Sequence, residues 1–168
     1  MLDDEVVENE RTVAIFDLLN RSGRPYSRSV HRASRSTEDA ARLRGATAAI
    51  GGKTLLFKVG TTNDFRLLVV AGNRRTDNRL IRHAFGVQKL RFARVAELLA
   101  LTGLTPGCVP PFGPPIFPMP VFVDEQLALG DEIAFTAADH RISVRMAMAD
   151  YLAVAQPAGI FAFSVDGD

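Results

Sequence analysis

Gly51-Gly-Lys-Thr-Leu-Leu-Phe-Lys-Val-Gly-Thr-Thr-Asn-Asp-Phe-Arg-Leu-Leu-Val-Val-Ala71 holds two apolar runs of strand length, 54–59 and 65–71. The polar turn Gly60-Thr-Thr-Asn-Asp64 between them marks a hairpin. On its N-terminal side, Val13, Ile15, Phe16, Leu18 and Leu19 recur at helical spacing, and Gly23-Arg-Pro25 ends that helix. Residues 26–32 are β-compatible, and Ser36-Thr-Glu-Asp39 reads as an N-cap with early acids, opening a short helix that Gly45 closes. On the C-terminal side, Thr76-Asp-Asn opens a helix with Leu80, Ile81, Ala84 and Phe85 on one face, stopped by Gly86. A short strand over 87–92 and a helix over 95–101 follow. Strands are expected at 121–123, 132–136 and 141–146, then a closing helix over 150–154. Helices interspersed with hairpins, without regular βαβ units, argue for an α+β fold.

With 168 residues, 47% apolar and 23% charged, the chain has the makeup of one ordinary globular domain. A domain of that length buries about two-thirds of its unfolded surface. The acidic start, Met1 to Glu10, lacks the pattern of a signal peptide, and no apolar run approaches the ~18 residues of a membrane span. One cysteine excludes an internal disulfide and suits a reducing cytoplasm. Net charge is +1, but basic residues cluster. Arg74, Arg75, Arg79, Arg82, Lys89, Arg91 and Arg94 face one acid, Asp77, and a second basic stretch runs from Arg21 to Arg44. Each is either a solvated helix face or a footprint for an RNA backbone.

The stretch Gly103-Leu-Thr-Pro-Gly-Cys-Val-Pro-Pro-Phe-Gly113 is too rich in glycine and proline for helix or sheet. It reads as a shaped loop able to offer backbone N–H groups to a ligand. Lys53 stands out because arginines outnumber lysines 17 to 3, so a lysine here supplies something arginine does not. It is either a strand-edge lysine that discourages aggregation or a compact cation facing a pocket. Gly-Gly-Lys-Thr is not a phosphate loop: position 47 is Thr where a glycine is needed, and a strand follows instead of a helix. Cys108 has no histidine near it in sequence and reads as loop filler. His31, His83 and His140 lack metal-ligand spacing, so no metal and no cofactor is expected. Asp124 reads as a turn or cap residue.

Taken in order, the Lys53-Thr-Leu strand, the Gly/Pro loop running into Pro111-Phe-Gly113, Val121-Phe-Val-Asp124 and the final hairpin resemble the YbaK family. These are aminoacyl-tRNA deacylases related to the editing domain of bacterial prolyl-tRNA synthetase. The resemblance implies a single domain over 11–155 with a mixed, mostly antiparallel, partly barrel-like sheet surrounded by short helices. A flexible N-terminus (1–10) and a loosely held C-terminal tail (156–168) flank it. It further implies a trans-editing hydrolase, cytoplasmic, acting on the acceptor end of a mischarged aminoacyl-tRNA, with a synthetase as a possible partner. Lys53 matches the lysine required for deacylation, and Thr54 is a candidate secondary contact. The loop would bind substrate and stabilise the oxyanion through Gly103, Thr105, Pro106, Gly107, Pro111, Phe112 and Gly113.

The final hairpin turn, Thr136-Ala-Ala-Asp-His-Arg-Ile142, would border the pocket, with Ala138 and His140 as contacts. Many relatives carry glycine where this chain has Ala137 and Ala138, so the methyl groups are expected to reshape the pocket. Two alternatives stand beside this reading: a non-catalytic tRNA- or synthetase-binding module of the same fold, and a hydrolase of other small esters or amides.

Overall fold

The computed structural model describes residues 6–167, and among these six helices and ten strands form. The hairpin is β2 (Gly52–Val59) against β3 (Phe65–Ala71), in the register Lys58 opposite Phe65. β2 starts two residues earlier than its apolar run, because backbone pairing continues through Lys53 opposite Val70. The pair is extended by β5 (Leu90–Phe92) antiparallel to β2, and by β6 (Val121–Asp124) parallel to β3.

Alternation splits the hairpin between two cores. Leu56, Leu67 and Val69 face the main core with α1 (Glu10–Ser22), whereas Phe57, Val59, Leu68 and Val70 face a smaller one that Ile81 of α3 (Asn78–Phe85) closes. A sheet covered on both faces explains why β3 is a continuous apolar run. Of the residues placed on the α3 face, Ile81 is fully buried while Leu80 stays 38% exposed.

β1 (Ser27–Val30), β7 (Glu132–Thr136) and β8 (Ile142–Ala147) make a second, antiparallel sheet in the order β1-β8-β7. It joins the first through the bridge of Gly51 with Ala134. Among the described residues the sheets do not close as a barrel, and the α+β reading holds. α2 (Thr37–Leu43) starts on Ser36, whose Oγ accepts from Asp39 N at 3.0 Å, as the cap pattern predicts. α4 (Val95–Thr102) ends on Gly103 at φ 73°, where the Gly/Pro loop begins. α5 (Glu125–Ala128) is a single turn absent from the sequence reading, and α6 (Met148–Ala155) is the expected closing helix.

The C-terminal segment corrects an expectation. Far from being loosely held, it forms β9 (Gly159–Phe161) beside β6 and β10 (Ser164–Asp166) beside β4 (Arg74–Thr76). Phe163 is fully buried, and Asp124 accepts from Phe163 N at 2.8 Å and Ser164 Oγ at 2.6 Å. Three-residue strands carry too little periodicity to show in sequence. Of the N-terminal segment, residues 1–5 lie outside the described residues. Asn9 caps α1 and donates from Nδ2 to Ala138 O at 2.9 Å.

Candidate active site

The start of β2 contributes Lys53 and Thr54 to a cleft of about 330 Å³. Ser34 to Thr37 and Arg44 line it from the α2 side, and Pro106, Gly107 and Val109 from the Gly/Pro loop. Thr136 of β7 and His140 of the final turn complete it. Among the described residues no carboxylate lines it, while Arg35, Arg44 and Lys53 do.

Each side has a local cause. Asp39 is buried and accepts from Arg32, from Arg42 and from the backbone N of Arg35, which fixes α2 and its lead-in. Those bonds, Arg32 first, hold the Asp39 carboxyl far below its ordinary range. The loop is anchored by Val109, Phe112, Ile116, Phe117 and Met119, all in the main core. Gly107 has φ 93°, and a Cβ there would lie 3.0 Å from His140 Cε1, so only glycine lets loop and hairpin approach this closely. Thr136 Oγ1 donates to Gly107 O at 3.1 Å and locks the same contact.

Lys53 is half-buried and forms no ion pair among the described residues. Burial lowers its ammonium pKa, with Glu38 opposing the shift. Two residues that line the cleft each carry a buried polar atom without a hydrogen-bond partner, Thr54 Oγ1 and Arg44 Nη1. Each such group costs about 1–3 kcal/mol when left unmade. Arg44 was not singled out in sequence, where it is one of seven basic residues between 21 and 44; its place beside Gly45 at the end of α2 is the only hint.

The structure therefore brings together Lys53, Thr54, Pro106, Gly107 and His140. The remaining candidates lie outside the cleft lining. Gly103 caps α4, and Thr105 O accepts from Cys108 Sγ at 3.3 Å. Pro111 O accepts from Tyr151 OH at 2.6 Å, and Phe112 packs edge-on against Phe135 and Tyr151. A Cβ on Gly113 would lie 2.8 Å from Met119 O. Ala137 and Ala138 are buried beneath α1, with Thr12 Oγ1 donating to Ala137 O at 2.7 Å, so their methyl groups do not line the cleft.

One further geometry resembles a nucleophile and base: His31 Nε2 lies 2.8 Å from Ser143 Oγ, with Nδ1 2.7 Å from Arg32 O. Ser143 is buried at 1% exposure and lies outside this cleft, so this is a structural bond.

The model of the aminoacyl-tRNA editing domain matches residues 31–154. The chain belongs to this editing-domain family. Among its relatives, the multifunctional Ser/Thr-tRNA deacylase ProXp-y of Escherichia coli (strain K12) is 32% identical over 155 residues, covering 90% of each chain. The protein of the same description from Escherichia coli O157:H7 matches equally. In solved structures the editing domain is similar to a proposed trans-editing enzyme for prolyl tRNA synthetase, at 25% identity and TM-score 0.78, covering 96% of this chain and all of that one. The hypothetical protein APE2540, at 19% identity and TM-score 0.79 over 90% of this chain and 99% of that one, shares the fold. The editing domain is thus an enzyme that deacylates mischarged aminoacyl-tRNA, and the binding-module alternative falls away.

Cys108 plays no part in the cleft lining of the editing domain, and burial pushes its thiol pKa up, away from the reactive thiolate. Cys108→Ser is expected to keep deacylation within about twofold of the parent, since removing a group outside the reaction leaves the barrier in place. A single-turnover deacylation assay, with and without a thiol-blocking reagent, checks this.

Ala138 has φ 64°, a left-handed conformation that penalises its Cβ. Ala138→Gly is expected to stabilise the fold by about 1 kcal/mol in urea denaturation.

Proposed function

We propose that the cleft hydrolyses the ester joining serine or threonine to the 3′ end of a wrongly charged tRNA. Lys53 is the cation beside the reacting carbonyl. The observation that supports this is the convergence of Lys53, of Pro106, Gly107 and Val109, and of His140 on one cleft that no carboxylate lines among the described residues. The serine or threonine preference rests on the relative ProXp-y.

In the reaction, water attacks the ester carbonyl carbon and the carbonyl oxygen becomes an oxyanion. Collapse breaks the bond between carbonyl carbon and ribose oxygen, and that oxygen takes a proton as the free amino acid leaves. Gly107 and Val109 donate their backbone N–H to no group among the described residues, which leaves them for the oxyanion. The Lys53 ammonium adds positive charge in a partly desolvated site, where its effect exceeds that in water. His140 is held against Gly107 and contacts the substrate from the hairpin side. The ester is already activated, so orienting water and stabilising charge suffice.

The substrate places the enzyme in the cytoplasm, and a synthetase is a candidate for delivering the charged tRNA. A panel of mischarged tRNAs tests the reading. Ser- and Thr-tRNA should be cleaved at least about tenfold faster than Ala-tRNA, the discrimination a hydroxyl-binding pocket provides. Equal or faster cleavage of Ala-tRNA overturns the preference, and faster cleavage of free aminoacyl esters than of charged tRNA overturns the tRNA substrate.

A further inference from the structure

We infer that Arg44 is an anchoring residue for a phosphodiester at the 3′ end of the RNA, an inference that rests on the editing reading of the cleft. Arg44 Nε donates to Ala40 O at 3.0 Å, the ordinary work of an arginine at a helix C-terminus. That bond accounts for one nitrogen. Nη1 is out of contact with solvent and has no partner, and burial lowers the pKa of the guanidinium.

The surrounding charges sharpen the point. In the same basic stretch Arg24 pairs with Asp150, Arg28 with Glu8, and both Arg32 and Arg42 with Asp39. The side chains of Arg35, Arg44 and Lys53, the cations that line the cleft, form no ion pair among the described residues. The protein thus pairs these arginines of the stretch and leaves the cations lining the cleft without a direct ion pair, Glu38 acting on Lys53 only at longer range.

An anion from outside fills that role. Of the groups at a charged acceptor end, the aminoacyl moiety carries a cationic ammonium, and the ester and ribose are neutral. The phosphodiester is the anionic group, and a guanidinium fork matches two of its oxygens. Thr54 Oγ1, the other unpartnered buried atom of the cleft, supplies a neutral donor beside it. Both residues line the cleft, which puts these two donors on its wall. Anchored there, the RNA end holds the ester near Lys53.

The test uses the trinucleotide CCA and the same oligomer with an uncharged methylphosphonate at its last linkage, titrated calorimetrically against the whole protein at several salt concentrations. The parent should bind natural CCA about tenfold or more tightly than the methylphosphonate, in line with a charge-assisted hydrogen bond. Arg44→Met should bind both equally, with the slope of log K on log salt reduced by about 0.7. Arg44→Lys, which keeps the charge and guards against a folding defect in the methionine variant, should recover part of the preference. Equal binding of both oligomers by the parent overturns the inference, as does a preference that survives Arg44→Met. Inorganic phosphate binding as tightly as CCA also overturns it, making the cleft a site for free anions.

The editing reading fails separately. A parent inactive on every mischarged tRNA that still distinguishes the two oligomers keeps Arg44 as the anchor and removes the reaction. A parent that deacylates without distinguishing them does the reverse.

Discussion

Lys53→Ala lowers the single-turnover rate of deacylation by on the order of 10²–10³-fold, the scale expected when one group stabilising a developing oxyanion is lost. The fold should survive, because Lys53 is half-buried, forms no ion pair among the described residues and pairs with Val70 through its backbone. Thermal unfolding within a few degrees of the parent separates lost chemistry from lost structure. The pH dependence gives a second readout. Burial lowers the Lys53 pKa from its ordinary 10.5, so the protonated, active form is lost as pH rises, earlier than for an exposed lysine. The catalysed rate, corrected for spontaneous ester hydrolysis, should therefore fall on the alkaline side, below pH 10.5. Lys53→Arg should not restore it, since arginine stays charged and is too large and planar to take the place of a compact ammonium. A Lys53→Ala variant that deacylates at the parental rate would remove the proposed role.

Asp124→Ala destabilises the protein by about 3 kcal/mol or more, the largest expected effect on stability. Asp124 is fully buried and takes two hydrogen bonds from the C-terminal segment, Phe163 N and Ser164 Oγ. Ser164 Oγ in turn accepts from Arg74 Nε at 2.6 Å, which links the carboxylate to a cation through one hydroxyl. Alanine leaves the buried Phe163 N–H without an acceptor and breaks that relay, and both β9 and β10 depend on it. Urea denaturation gives the magnitude, and hydrogen exchange over residues 159–166 should show faster opening than elsewhere in the fold. Asp124→Asn keeps one acceptor oxygen and should lose less. A loss under 1 kcal/mol in the alanine variant would mean that the apolar packing of Phe163 alone secures the segment.

These two residues show what was legible. Lys53 stood out because lysine is rare here and because it opens an apolar strand, and the cleft is built around it. Asp124 reads in sequence as the end of a strand, and nothing local reveals the Phe163 and Ser164 groups about forty residues later that it satisfies. The Gly/Pro loop was recognisable as shaped, but half of its conspicuous residues shape it for packing. Phe112 and Gly113 hold it on the core, and only Pro106 and Gly107 of the named loop residues reach the cleft. The alanines of the final turn were read as reshaping the pocket. Both are instead buried in the main core outside the cleft lining, and Thr12 and Asn9 hold the turn through its carbonyls.

Sequence by itself determined the α+β class, the hairpin at the centre of the sheet and the editing family, and it singled out Lys53, which lines the cleft. All of these are carried by local periodicity or by motifs in chain order. The tertiary structure decided which of many arginines line the cleft, that Gly107 meets His140, and that the C-terminal segment belongs to two sheets. Each of those outcomes is a contact between residues far apart in the chain. Burial, ion pairing and unpartnered donors arise only when such contacts form, so no reading of neighbours along the chain exposes them.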